Sequence, residues 1–367
     1  MELILGTKLK KARENAGLTQ DALAKAVGLS SEFICLLESG KRTPSLETLT
    51  NLSEYLKKDI SYFFKEKDSA FNLLFQGEKL DKKAKRELRR FQKYCDEYVQ
   101  LEELTERRLR LAPLYTHISA ERMAEEERCR IGLRNEPIRD IFSLLEVNGC
   151  RIIRQPIPEE SQISGVFIFL EKMDAAFALI NSSQSPGRQA FTAAHEYCHY
   201  LKDRNEGPVV DNPDIFVDEF LSLYHPREKF AQTFATRFLI PASKVKEIIE
   251  KDIRTNKLKY EDVVYLKRYF GVSFLAMLRT LKDLGYLLTA RFEEYRKIDL
   301  EPYEASLFGS LIQAKRQKKK KGETILSDRF RSLAIKAYQK KKISAEKLSM
   351  ILHQDKDRLL RALGESK

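Results

Sequence analysis

The chain has 367 residues, 43% of them hydrophobic and 33% charged, and its 66 Lys and Arg against 54 Asp and Glu give a formal net charge of +12. That length suits two or three domains with their own cores, and the basic excess favours a polyanionic partner such as DNA, although a solvated basic surface reads the same way. The scattered Cys35, Cys95, Cys129, Cys150 and Cys198, none in a C-x-x-C pair, argue against a disulfide framework or a thiolate zinc knuckle; with no long apolar run and an early-charged start, "MELILGTKLKKAREN", the expectation is a soluble cytoplasmic protein without a membrane partner.

Residues 1–67 read as five short amphipathic helices, broken at "AGLT", "VGLSS", "SGKRTPS" and "KKDIS", where a Gly ends one helix or a Ser, Thr or Asp caps the next. Leu18, Leu23, Ala24, Val27, Leu29, Ile34, Leu37, Leu46, Leu49 and Leu52 suit one small core, with Gly28 at a tight turn. This is helix-turn-helix logic. The helix beginning near Ser30 would enter the major groove behind Ser30, Ser31 and Glu32; Thr19 and Gln20 would meet phosphates, and Lys41 and Arg42 the backbone. The recognition helix itself carries few positive charges, so affinity would draw on the loops and on a second subunit, and a homodimer on an operator is expected.

From 78 to 130 the chain is charge-dense, with Leu88, Phe91, Cys95, Tyr98, Leu101 and Leu104 at helical spacing. It reads equally as a linker helix packed on its neighbours or as a dimerisation helix. Between 136 and 182, "GCRIIRQPI" and "GVFIFLEKMDAAFALINSS" predict two or three strands of a small sheet. Helices resume from 186 to about 288. The run "QAKRQKKKKGE" (313–323) reads as an exposed basic turn or linker, and the tail as further short helices.

The stretch "FTAAHEYCHY" (191–200) places His195 and His199 four apart on one helix face, so both imidazoles can chelate one zinc, with Glu196 beside them to take a proton from an attacking water. A third ligand is needed, and Asp203, Glu206, Asp211, Asp214, Asp218, Glu219, His225 and Glu228 all follow; spacing does not choose among them. The helix "PREKFAQTFATRFLIP" (226–241), with Phe230, Ala231, Phe234, Ala235, Phe238 and Leu239 as an inward stripe, is the best scaffold and has Glu228 near its start. His225 reads as a satisfied surface residue or as an oxyanion stabiliser, and Cys198 as core.

Two resemblances rest on these residues. "LKKARENAGLTQDALAKAVGLSSEFICLLESGKRTPSLETLTNLSEYL" is similar to the phage-repressor (XRE, Cro/CI-like) helix-turn-helix family, which implies DNA contacts through Gln20 and the early residues of the third helix. "SGVFIFL…AAFALINSSQSPGRQAFTAAHEYCHYL", "REKFAQTFATRFLIPASKV" and "LKRYFGVSFLAMLRTLKDLGYL" resemble, in order, the ImmA/IrrE zinc metallopeptidases. That resemblance implies a Zn²⁺ cofactor held by His195, His199 and Glu228, with Glu196 as catalytic acid/base; the family's Asn at one position of the second motif is Gln232 here. It also implies cleavage of a repressor-type protein after damage or a related stress.

The expected fold is therefore α+β, mainly α: a five-helix helix-turn-helix domain (1–67), a charged helical linker (68–135), a zincin-like metallopeptidase domain with a small sheet (136–290) and a helical C-terminal region (291–367). The expected function is a DNA-binding regulator that cuts a protein substrate, a repressor or itself, to control stress-response or mobile-element genes. The alternatives are a non-proteolytic transcription factor whose peptidase-like domain senses a ligand or metal, and an antitoxin-like module. Two His and one carboxylate would also accept Mn²⁺ or Fe²⁺.

Overall fold

A computed structural model of the chain describes residues 2–56, 58, 70–75, 81–211, 226–255, 257–298, 304, 306 and 324–364. The chain divides into two compact units, Met1–Ser69 and Ala70–Lys367.

In the first unit, α1 (Glu2–Asn15), α2 (Gln20–Ala26), α3 (Ser31–Glu38) and α4 (Leu46–Tyr55) surround a core of Leu5, Leu9, Leu23, Ile34, Leu37, Leu49 and Leu52. Each helix start after α1 is local chemistry: the hydroxyls of Thr19, Ser30 and Ser45 accept from the backbone N–H of Ala22, Phe33 and Thr48, each at 3.1 Å. Gly28 takes φ 69° between α2 and α3, a left-handed conformation that favours glycine. A side chain at Gly6 would lie 2.3 Å from the carbonyl oxygen of Leu37, so α1 meets α3 backbone to backbone. The expected fifth helix, after "KKDIS", lies outside the described residues.

The second unit opens with α5 (Ala70–Phe75), α6 (Lys82–Thr105), α7 (Ala120–Arg130) and α8 (Ile141–Val147). Strands β1 (Cys150–Gln155), β2 (Gly165–Leu170), β3 (Ala175–Asn181) and β4 (Val209–Asp211) form one sheet in the order β1-β3-β2-β4, parallel between β1 and β3 and antiparallel elsewhere. The strand expected to precede the metal-binding helix, 175–183, is thus β3 in the middle of the sheet; β1 and β4 are at its edges. An edge role in pairing with an extended peptide is therefore open to β4 beside β2, not to β3.

Both faces of the sheet are covered, which is why its strands read as continuous apolar runs. Cys150, Ile152, Phe167, Ala176, Ala178 and Ile180 pack with α9 (Pro186–Lys202), α10 (Pro226–Leu239), α11 (Ala242–Ile248), α12 (Tyr260–Phe270), α13 (Phe274–Asp283) and α14 (Thr289–Arg296). Ile153, Val166, Ile168, Phe177 and Leu179 pack with α6 and with α15 (Asp328–Gln339), α16 (Ala345–Leu352) and α17 (Lys356–Ala362). Leu88, Phe91, Cys95, Tyr98 and Leu101 of α6 are all buried here, so this apolar face is occupied within the chain rather than offered to a second copy.

Polar groups tie the C-terminal helices to this face. Glu102 of α6 receives Arg151 of β1 at 2.5 Å and Arg329 of α15 at 3.1 Å, while Glu146 accepts from Tyr98 at 2.6 Å and Ser327 at 2.7 Å. Residues 313–323, the basic run, lie outside the described residues. Among the described residues no helix is long and apolar enough to cross a membrane.

Candidate metal centre

Helix α9 begins at Pro186, which suits the first turn because its missing N–H would have had no intrahelical partner. It runs between the sheet and α10, and His195, Glu196 and His199 are fully buried. Glu228, in the first turn of α10, faces the two imidazoles across the helix pair.

The three side chains converge. His195 Nε2 lies 3.2 Å from His199 Nε2 and 3.0 Å from Glu228 Oε2, and His199 Nε2 lies 3.7 Å from Glu228 Oε1. A tetrahedral ion bound at about 2.0–2.1 Å holds its ligand atoms about 3.3–3.4 Å apart, so the donor set fits one divalent ion with little movement. On its other side His199 Nδ1 is 3.1 Å from Asp203 Oδ2, and Arg227 Nε donates to the same oxygen at 3.0 Å. A carboxylate at Nδ1 is the arrangement that leaves Nε2 free to face a metal.

The charges follow from these contacts. Burial works against the Glu228 carboxylate, but hydrogen bonds and charge from His195 and His199 outweigh it and hold its pKa well below the ordinary carboxylate range. Asp203 is likewise lowered, burial being overcome by His199 and Arg227. Burial pulls His199 down, yet Asp203 and Glu228 together hold it above its ordinary value. A site that concentrates two carboxylates on one imidazole is built for positive charge.

Glu196 projects from the same helix toward β2, where a side chain at Gly165 would lie 2.3 Å from Glu196 Oε1 and 2.5 Å from Thr192 Cγ2. Only a residue without Cβ lets that carboxylate sit against the strand. Gly165 pairs with Asp211 of edge strand β4, so the carboxylate abuts the strand next to the sheet edge.

Among the other sequence candidates for a third ligand, Asp203 stands behind His199 rather than among the converging atoms, and Glu206 is on the surface 4.0 Å from Arg227 Nη1. Asp214, Asp218, Glu219 and His225 lie outside the described residues, as does the side chain of Asp211. The orienting role open to Asp203 has a sequence signal: it follows His199 by four residues, the spacing that brings two side chains together on a helix.

In the first unit, Ser30 and Glu32 are exposed at the start of α3 and Ser31 is half-buried. Thr19 and Ser30 are N-caps, so their oxygens already accept backbone bonds. Gln20 is turned partly inward: its Nε2 donates to Glu38 Oε2 at 2.8 Å, and Glu38 also receives Arg13 at 2.6 and 3.0 Å. This buried Arg13–Glu38 pair, which fixes Gln20, has no periodic signal in the sequence. Lys41 is exposed, and the Arg42 guanidinium lies 5.3 Å from the centre of the Phe33 ring.

Comparison with known proteins agrees with both units. Residues 146–282 match the family model described as the IrrE N-terminal-like domain, a peptidase family, and residues 9–63 match the helix-turn-helix model. The chain is 36% identical over 64 residues to the HTH-type transcriptional regulator PrpR of Mycobacterium tuberculosis, covering 17% of this chain and 13% of the relative. It is 33% identical over 70 residues to the SPbeta prophage-derived uncharacterized HTH-type transcriptional regulator YonR of Bacillus subtilis, covering 19% of this chain and 65% of the relative. With an uncharacterized HTH-type transcriptional regulator of Archaeoglobus fulgidus it shares 36% identity over 58 residues, 16% of this chain and 83% of the relative. The chain therefore belongs, through its first unit, to the helix-turn-helix transcriptional regulators and carries an IrrE N-terminal-like domain in its second.

Proposed function

We propose that the chain is a DNA-binding regulator whose second unit is a zinc-dependent peptidase acting on a protein, a repressor-type helix-turn-helix protein or the chain itself, in control of stress-response or mobile-element genes. The observation that carries the reading is the convergence of His195 Nε2, His199 Nε2 and Glu228 on one point, with Glu196 one residue along the same helix. His195, His199 and Glu228 would hold the ion, and Asp203 would orient His199. When bound, zinc supplies Lewis-acid polarisation of the scissile carbonyl and of the attacking water. Glu196, against Gly165, takes the proton from that water and returns it to the amine nitrogen as the C–N bond breaks, which balances the hydrolysis. Strand β4 supplies the edge on which an extended substrate can lie.

The first unit directs the protein to an operator as a homodimer, with the leading residues of α3 toward the bases and Thr19, Gln20, Lys41 and Arg42 toward the backbone. The reading is tested by metal content of wild type and Glu228→Ala, with cleavage of co-expressed repressor-type proteins by wild type and Glu196→Gln. Stoichiometric zinc that is lost with Glu228, and cleavage that stops in Glu196→Gln, are the expected results. Zinc binding without cleavage of any such protein, or of the chain itself, would replace this reading with that of a non-proteolytic sensor.

A further inference from the structure

The C-terminal helices carry a geometry that the peptidase reading does not use. In the first unit Thr19 caps α2, the chain turns through Gly28 at φ 69°, and Ser30 caps α3. In the C-terminal segment Ser344 caps α16, the chain turns through His353 at φ 49°, and Asp355 caps α17. Counted from the first cap, the left-handed residue is the ninth and the second cap the eleventh in both segments. Two of the buried apolar positions fall at the same counts, Leu23 and Ile34 in one and Leu348 and Leu359 in the other; Ala24 and Leu37 have Ser349 and Ala362 at their counts, and Ile351 and Leu352 complete the second core instead. Half-buried Leu18 and Ile343 each stand directly before the first cap.

Glycine is the usual residue at such a turn because a Cβ disfavours the left-handed region. His353 is held there from outside the motif: its Nε2 is 2.8 Å from the Tyr94 hydroxyl, and the two rings meet edge to face with centroids 6.2 Å apart. Without a glycine at the turn, the segment has no obvious helix-turn-helix signature in sequence. Helix α15 packs on α16 and α16 on α17, completing a three-helix arrangement.

Charge separates the two segments. Residues 1–56 hold seven Lys and Arg against seven Asp and Glu, whereas residues 324–364 hold ten against four. The basic residues include Arg358 and Arg361 on the exposed side of α17 and Lys341 and Lys342 in the turn before α16, all solvent-exposed. These are the places from which a helix-turn-helix meets a duplex: the second helix in the groove, and the approach to the first helix at the backbone. Positive charge there supplies the salt-dependent part of the affinity through counterion release.

We propose that α16 and α17 form a second helix-turn-helix that docks on duplex DNA through Arg358, Arg361, Lys341 and Lys342. The proposal stands whether or not the metal centre is a peptidase. It is tested on the full chain, with the first unit's face disabled by Gln20→Ala, Ser31→Ala, Lys41→Ala and Arg42→Ala, by fluorescence anisotropy of a labelled duplex between about 50 and 200 mM salt. The background protein should still bind. Adding Arg358→Ala, Arg361→Ala, Lys341→Ala and Lys342→Ala should weaken binding at least about tenfold and lower the slope of log K against log salt by about 0.9 for each phosphate that is no longer neutralised. Removing charge on the opposite side of the sheet, Lys246→Ala with Lys251→Ala, should change neither. The proposal is overturned if the background protein does not bind duplex, if the four C-terminal substitutions leave affinity and slope intact, or if the Lys246 and Lys251 pair lowers them equally. All the substituted C-terminal side chains are exposed, so an unchanged thermal unfolding curve separates a weakened DNA interface from an unfolded segment.

Discussion

Replacing Asp203 with alanine tests whether the carboxylate behind His199 serves the metal centre. Asp203 is 3% exposed, and its Oδ2 lies between His199 Nδ1 at 3.1 Å and Arg227 Nε at 3.0 Å. An Nδ1–H donated to this oxygen fixes the tautomer whose Nε2 lone pair faces His195 and Glu228. Without it the imidazole is free to place its proton on either nitrogen and to rotate, and Arg227 loses the carboxylate that offsets its charge near the site. Both effects weaken binding of a cation. Loss of such an orienting partner costs about 10–100-fold in metal affinity, or about 1.4–2.7 kcal/mol. Asp203→Asn keeps an acceptor oxygen but not the charge, and should fall between wild type and alanine. The assay is competition with a chromophoric chelator for Zn²⁺ at neutral pH, with helix content followed by circular dichroism. Wild-type affinity in Asp203→Ala, with the fold intact, would refute the orienting role while leaving the convergence of His195, His199 and Glu228 untouched.

Gly165→Ala places a Cβ 2.3 Å from Glu196 Oε1, so the carboxylate must move by about 1 Å, a displacement that costs on the order of 100-fold in turnover; cleavage at the wild-type rate with zinc retained would show that Glu196 has no such positional demand. In the metal-free protein, Asp203 and Glu228 are depressed and His199 is raised. The carboxylates therefore contribute stability that is full above about pH 4.5 and is lost as pH falls through their folded values, and His199 contributes stability that is full below about pH 6.5 and is lost as pH rises through its own. The Tm of metal-free wild type relative to His199→Gln should be highest between about pH 4.5 and 6.5, and a difference that grows steadily toward alkaline pH would contradict it. Glu38→Ala takes the two-bond carboxylate partner from Arg13, leaving it Glu14 at 3.7 Å and the Leu18 carbonyl at 2.8 Å, and should destabilise the first unit by about 1–3 kcal/mol, read as faster amide exchange in α2 and α3; unchanged protection there would mean the pair is not a support of the fold.

What the sequence determined by itself was encoded at short range. Helical spacing placed His195 and His199 on one face with Glu196 beside them, and the caps Thr19, Ser30 and Ser45 with Gly28 between them marked α2, α3 and α4, because a cap or a left-handed turn is decided within a few residues. The third converging side chain was only partly legible from the residues: the inward stripe of 226–241 pointed to a scaffold with Glu228 near its start, but Asp203 also follows His199, and only the packing of α10 on α9 brings Glu228 to the imidazole Nε2 atoms and leaves Asp203 at Nδ1. Strand order was equally nonlocal. The 175–181 stretch reads as a strand, but its central place depends on β1 and β2 pairing on either side of it. Helix α6 has the same periodicity whether its apolar side meets another chain or its own sheet, and the partner was settled by tertiary burial against β1, β3 and α15. His353 shows the limit most plainly: histidine visits the left-handed region more often than most residues but does not announce a turn by itself, and the Tyr94 hydroxyl that meets its ring at 2.8 Å is 259 residues away in the chain.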